Sequence, residues 1–288
     1  MRIPSMIAVS VVVSLVACSG GPTSSGVSSE TAPSVQVPEG ADAAARAISA
    51  EQLRLTVTSI ASDEMMGRGP GTEGDRLARQ YLAQRLEGAG FEPAFGDEQW
   101  EQPLQIIGMT TALPETWDFR DQKGKKLALR RWDEYWGATG MQKESASIEN
   151  AEVVFVGYGI TAPEENWDDF KGADLSGKVL LMLNDDPEWD PALFAGERKL
   201  YYGRWTYKYE SAAGQGAAGA IIIHTSESAG YPWEVVQASW AGAQFEVPAV
   251  DEPRLAMRAW VTESAARKMV EFAGHDLDSV SYTHLRAH

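Results

Sequence analysis

The sequence is short of the residues that most often carry thiol or metal chemistry. A single cysteine among 288 residues excludes an internal disulfide and a cysteine-rich zinc site. Four histidines, His224, His275, His284 and His288, argue against a histidine-rich metal centre built within this chain. Positive charge is also scarce, with 25 Lys and Arg against 41 Asp and Glu, a net charge of −16. Nucleic-acid binding needs a positive face. The nearest basic cluster, Lys123, Lys125 and Lys126, reads as a turn, so no nucleic-acid partner is expected. Familiar catalytic signatures are missing too. There is no His-Glu-x-x-His for a zinc-protease helix and no Gly-x-Ser-x-Gly for a serine nucleophile elbow. Gly177-Lys178-Val179 lacks the hydroxyl residue that completes a Walker loop. What is present in ordinary amount is apolar sequence, 44% of the chain, enough for a folded core.

The amino terminus reads as an address. Arg2 precedes an almost unbroken apolar run, Met6 to Ala17. That run is shorter than the ~20 residues of a membrane-spanning helix and fits the core of a signal peptide. It ends Leu15-Val16-Ala17-Cys18, then Ser19-Gly20-Gly21. These residues resemble the lipobox of bacterial lipoproteins, which implies cleavage after residue 17 and lipidation of Cys18. The other reading is a plain secretory signal with an incidental cysteine. Ser19 after the cysteine resembles outer-membrane sorting. Of residues 19–40, 15 of 22 are Ser, Thr, Gly or Pro, too little apolar surface to offset ordering entropy. We expect a flexible tether over 18–44.

Two helices are expected next. Ser49-Ala50-Glu51-Gln52 forms a capping box, followed by Leu53, Val57 and Ile60 on one face. Thr72 and Asp75 cap a second helix with Ala78, Tyr81, Leu82, Leu86 and Ala89 as its apolar stripe, stopping at Gly90 before Pro93. Between them, Gly69-x-Gly71-x-x-Gly74 has the spelling of a dinucleotide fingerprint. A helix rather than a strand precedes it, so we read a glycine-rich turn. From about residue 99 short apolar runs between turns suggest strands: Leu104–Met109, Lys126–Leu129, Val153–Val156, Val179–Leu183 and Ala220–Ile223. Asp174–Lys178 is a turn, Tyr209–Gly219 a short helix, and Met257–Gly274 a further helix. All ten tryptophans lie between Trp100 and Trp260, as core, interface or, more rarely, a substrate platform.

Few residues offer chemistry. Asp168-Asp169 and Asp185-Asp186 could form an acid/base pair or hold a cation. Beside Trp167 and Pro187, we favour solvated turns whose carboxylates bond their own backbone. His224 reads as a hydrogen-bonded histidine at a strand end. His275 follows a helix C-terminus, where the dipole favours it. The last eight residues, Ser281 to His288, resemble translated vector or adapter sequence, and we assign His284 and His288 no function.

Resemblance adds more. Ile60 to Asp75, Ala78-Arg79-Gln80-Tyr81-Leu82 and Gly90-Phe91-Glu92-Pro93 look like the start of metallopeptidase family twenty-eight, the di-zinc aminopeptidases. Leu200 to Glu210 and Gly216 to His224 resemble the protease-associated domain inserted in bacterial members. Gly157-Tyr158-Gly159, Asn166 to Phe170 and Asn184 to Pro187 fit the same insert. The resemblance covers roughly 45–280. It implies an α/β fold in which the leading helices of a zinc-aminopeptidase domain are interrupted by the insert, and the sheet bearing the zinc ligands follows. In that family two zinc ions share a hydroxide and a glutamate moves the proton. No segment here matches the family's His-x-Asp, acidic pair or later ligands. No catalytic or metal-binding residue therefore carries over, and we expect the catalytic sheet to be largely missing.

The expected organisation is a signal peptide over 1–17, the tether over 18–44, and the helical start of the peptidase over 45–115. A protease-associated domain over 116–260, a return helix over 261–280 and a non-native tail over 281–288 complete it. The expected function is the amino-terminal portion of a membrane-anchored zinc aminopeptidase that removes N-terminal residues from peptides. This portion by itself is expected to be inactive. It would sit on the outer membrane through its lipid, facing the periplasm or the cell exterior, with peptide as substrate. The alternative is a non-enzymatic surface lipoprotein whose inserted domain binds peptides or protein partners.

Overall fold

The computed structural model describes residues 37–96 and 99–285, so the apolar leader and Cys18 lie outside the described residues. The chain divides into two units, Met1–Arg85 and Leu86–His288.

The first unit holds α1 (Ala41–Ala47), α2 (Ala50–Ile60) and most of α3 (Glu73–Gly88). Helix α1 begins inside the stretch expected to be tether. Its Ala-Asp-Ala-Ala-Ala-Arg-Ala run is rich in the strongest helix former, which outweighs the Ser/Gly/Pro character just before it. The expected caps form. Ser49 Oγ accepts from Gln52 N at 3.2 Å, and Thr72 Oγ1 accepts from Asp75 N at 3.3 Å. The glycine-rich turn has a steric purpose: a Cβ at Gly74 would fall 2.0 Å from the Met65 carbonyl oxygen. The third glycine thus lets the segment Asp63–Arg68, kinked at Met66 and Gly67, press against the start of α3. The Arg68 guanidinium ties the same segment to the carbonyl of Ile60. The apolar stripes are poorly covered. Helix α2 buries no residue, and α3 buries only Gly74 and Ala78.

The second unit is built on a sheet. In chain order its elements are β1 (Ile107–Met109), β2 (Thr116–Arg120), β3 (Lys126–Arg130), β4 (Tyr135–Ala138), β5 (Val153–Phe155), β6 (Thr161–Ala162), β7 (Trp167–Asp168) and β8 (Val179–Leu183). Then come α4 (Trp205–Gly214), β9 (Gly219–His224), α5 (Ser226–Ala229), α6 (Trp233–Trp240), β10 (Gln244–Glu246), β11 (Met257–Thr262), α7 (Glu263–Phe272) and α8 (Leu277–Leu285). Five strands pair in the order β4-β11-β9-β8-β5. β5, β8, β9 and β11 run parallel, and β4 closes one edge antiparallel. The β2–β3 hairpin turns at Asp121, whose carboxylate accepts from Lys123 N and Lys125 N, so the lysine cluster is a turn as expected.

Both faces of the sheet are covered, which is why its strands read as continuous apolar runs. Leu180, Met182, Ala220, Ile222 and Trp260 pack on one face with Tyr209 and Ala212 of α4 and Val236 of α6. Val179, Leu181, Ile221, Ile223 and Val261 pack on the other with Ala265, Ala266, Met269 and Val270 of α7. The period of two in these strands assigns each side chain to its layer.

One expected helix is corrected. Met257–Gly274 is not helical throughout: Met257–Thr262 is the strand β11, inserted between β9 and β4. Helix α7 starts only at Glu263, where Thr262 Oγ1 accepts from Ala265 N at 3.2 Å. Met-Arg-Ala-Trp-Val-Thr has enough β-branched and aromatic character to fill that gap, and tertiary pairing overrides the helical period. The boundary drawn at 260/261 therefore falls inside a strand, and α7 packs on the same sheet as the preceding residues. Helix α7 ends in a Schellman turn, with Gly274 N bonded to Glu271 O and His275 N to Val270 O.

Candidate functional site

Four segments singled out in the sequence meet in the second unit: Gly157–Gly159, Asn166–Phe170, Asn184–Pro187 and Leu200–Glu210. Their meeting point is Lys208. On α4, Trp205, Lys208, Tyr209 and Ala212 share one face at i, i+3, i+4 and i+7, which turns the lysine inward. Lys208 is 0% exposed. Its Nζ donates to the carbonyl of Tyr158 at 2.7 Å and lies over the rings of Tyr158 and Tyr207, 5.4 and 6.0 Å from their centroids.

Three buried carboxylates surround it. Asp169 Oδ2 accepts from Ile160 N at 2.9 Å. Asp185 Oδ1 accepts from Asp186 N at 3.0 Å, and the Asp185 carboxylate pairs with Lys199. Asp186 Oδ2 accepts from Leu200 N at 3.0 Å, while its Oδ1 is buried with no partner among the described residues. The approach is close enough that a Cβ on Gly203 would lie 2.9 Å from Asp185 Oδ1. This accounts for a glycine within Tyr-Tyr-Gly-Arg. Ser211 Oγ adds a bond to the Gly159 carbonyl at 2.7 Å.

Burial dominates the electrostatics. It drags Lys208 down to about 7, against the pull of Asp169, Asp186 and Asp185. Burial likewise pushes Asp186 up, and the neighbouring Asp185 charge adds to this. For Asp169 burial again opposes charge, but bonds from His284, the Ile160 N–H and Trp167 together hold its carboxyl below the usual range. Lys208 and Asp186 thus both lean toward their neutral forms. The cluster has no open face toward solvent at Lys208 or Asp186. Its chemistry is to clasp four stretches of chain.

The paired aspartates need correction. Only Asp168 behaves as expected, exposed and capping its own turn through Phe170 N at 3.0 Å. Asp169, Asp185 and Asp186 are not in solvated turns but 3%, 5% and 1% exposed. The long connection between β8 and α4 folds back over them, and Lys208 approaches from α4. Lys208 itself went unnoticed in the sequence. The signal was there in its helical spacing from Trp205, Tyr209 and Ala212.

The histidines divide. His224 closes β9, is buried, and its Nε2 lies 3.1 Å from the Tyr231 carbonyl oxygen, as expected of a strand-end histidine. Burial holds it below the usual imidazole range. His284, which was assigned no function, sits on α8 with Nε2 2.9 Å from Asp169 Oδ1 and its ring edge-on to Phe155 at 5.9 Å. It packs into the fold rather than trailing from it.

The residues present do not fit the two zinc ions that the family resemblance implies. Among the described residues no group of three or more His, Cys, Asp or Glu could hold a metal ion. The buried carboxylates instead surround a lysine amine, which disfavours a cation.

The second unit defines a mixed α/β sheet protein. No family model and no curated protein matches the chain. Among solved structures it is similar to an aminopeptidase from Aneurinibacillus sp. strain AM-1, with a TM-score of 0.36 and 16% identity over 77% of this chain. It is similar also to a zinc aminopeptidase from Bacillus subtilis, with a TM-score of 0.29 and 14% identity over 76% of this chain. The chain spans 40% of the length of each.

Proposed function

We propose that this chain is the amino-terminal and inserted-domain portion of a lipid-anchored, zinc-dependent aminopeptidase that removes N-terminal residues from peptides. The observation that carries the reading is the set of segments resembling metallopeptidase family twenty-eight and its protease-associated insert. Four of the five insert segments converge on Lys208, as parts of one domain would. In this reading residues 116–260 supply most of the insert and residues 45–115 the leading helices. The exposed Leu53, Leu55, Val57, Leu82 and Leu86 supply apolar surface that a further sheet would cover. Zinc would be held by residues other than 37–96 and 99–285. The lipid on Cys18 would hold the protein at the outer membrane, facing the periplasm or the cell exterior. Among the described residues no helix is long and apolar enough to cross a membrane.

The test compares two polypeptides. A gene product carrying His-x-Asp and the later ligands downstream should bind two zinc ions and hydrolyse aminoacyl p-nitroanilides, and a chelator should stop it. These 288 residues alone should do neither. Stoichiometric zinc or chelator-insensitive hydrolysis in the 288-residue chain would overturn the reading. A frame closing at a native stop near residue 280 would favour the surface binding lipoprotein instead.

A further inference from the structure

Beside α6 the second unit contains a small cavity unrelated to the Lys208 cluster. It has a volume of about 200 Å³ and is walled by Trp205 of α4, Val235, Val236, Ser239 and Trp240 of α6, Tyr231 just before α6, and Trp260 of β11. Four of these seven walls are aromatic. Their rings are braced from behind: Trp205 and Trp240 stand edge to face at 5.9 Å, and Tyr209 meets both at 6.1 Å. The Arg258 guanidinium lies 5.9 Å from the Trp240 ring, and Glu246 holds it there at 2.8 Å. The walls are therefore positioned before any guest arrives. Trp205 and Val235 remain 39% exposed, so the cavity opens to solvent at its rim.

We infer that this cavity receives one aromatic side chain from a peptide. Size decides between guests. An apolar cavity of ~150 Å³ already holds a benzene ring. Pockets for whole drug-sized ligands begin at ~300 Å³. A space of about 200 Å³ accepts one ring and leaves the rest of its bearer on the rim. The aromatic walls favour a ring over a straight chain, because edge-to-face contacts add to area burial. Charge selects further. The chain carries −16, and Glu234 lies on the same helix, so a neutral or basic peptide is favoured over an acidic one. The peptide as bearer rests on the aminopeptidase reading; the cavity itself does not.

The experiment titrates the 288-residue chain with N-acetyl-L-phenylalaninamide and follows tryptophan emission. N-acetylglycinamide and benzyl alcohol serve as comparison probes. The phenylalanine amide should give a saturating change, and the glycine amide none. Ser239→Phe, at an exposed position, should fill the space and weaken binding at least tenfold with an unchanged far-ultraviolet circular dichroism spectrum. Val235→Glu, at the rim, should weaken it similarly and provides a second route if Ser239→Phe does not fold. Equal response to both amides, or full-strength binding by the folded variants, overturns the proposal. Binding of benzyl alcohol without the phenylalanine amide overturns the peptide as bearer. Zinc content and hydrolysis, measured separately, decide the aminopeptidase reading whichever way this titration falls.

Discussion

At the scale of single residues, Lys208 sets the sharpest expectation. Its amine is held down to about 7 when folded, below its unfolded value near ~10.4. Between those values the unfolded chain binds a proton that the folded chain does not. Stability should therefore rise with pH from about 7 toward ~10, by up to ~1.4 kcal/mol per pH unit from this group. Lys208→Met removes the titrating amine and should flatten that rise. It also leaves the Tyr158 carbonyl without its donor, a cost of about 1–3 kcal/mol at neutral pH. Urea unfolding of both proteins at pH 7 and pH 9 measures both effects; an identical slope in the variant would refute the assignment. Residue-level reading of the sequence succeeded where partners are local. Ser49, Thr72 and the turn at Asp121 bond atoms two to four positions away. It failed for Asp169, Asp185, Asp186 and Lys208, because their burial depends on chain brought from as far as the β8–α4 connection.

At the scale of elements, the β11–α7 junction shows how a strand hides in a helical pattern. Trp260 and Val261 lie at spacings that also suit a helix leading to Ala265 and Met269. What separates the two elements is Thr262, whose hydroxyl takes the Ala265 N–H. Thr262→Ala should cost about 1 kcal/mol, and Thr262→Ser much less, since the cap survives. Chemical denaturation of the three proteins reads this directly, and an equal loss in both variants would count against the cap. Strands β8 and β9 were visible from their runs of Val, Leu and Ile. Strand β4 was not: Tyr-Trp-Gly-Ala is short, and its four buried residues acquire their role only by pairing with β11.

At the scale of the whole molecule, cover is unevenly distributed. The second unit buries both faces of a five-stranded sheet, whereas α2 buries nothing. Leu53, Val57 and Leu82 are 57%, 59% and 51% exposed. Each large apolar side chain left uncovered forfeits up to ~1.5–3 kcal/mol. Amide exchange should accordingly be fast over residues 50–85 and slow over 179–183 and 219–224. Comparable protection in the two regions would show that the helices are stabilised by something other than the contacts described.

Nearest-neighbour chemistry was enough to declare the helix caps, the glycine-rich turn, the turn at Lys123, Lys125 and Lys126, and the two apolar central strands. Each depends on spacing and on bonds spanning a few residues, which a linear string contains. The place of β11, the burial of three aspartates around one lysine, and the aromatic cavity beside α6 were settled only by packing. They arise where segments far apart in the chain come within bonding distance, as Lys208 meets Tyr158 and Arg258 meets the Thr139 carbonyl. Such meetings follow from which gap in a sheet remains to be filled, a quantity that no local pattern encodes.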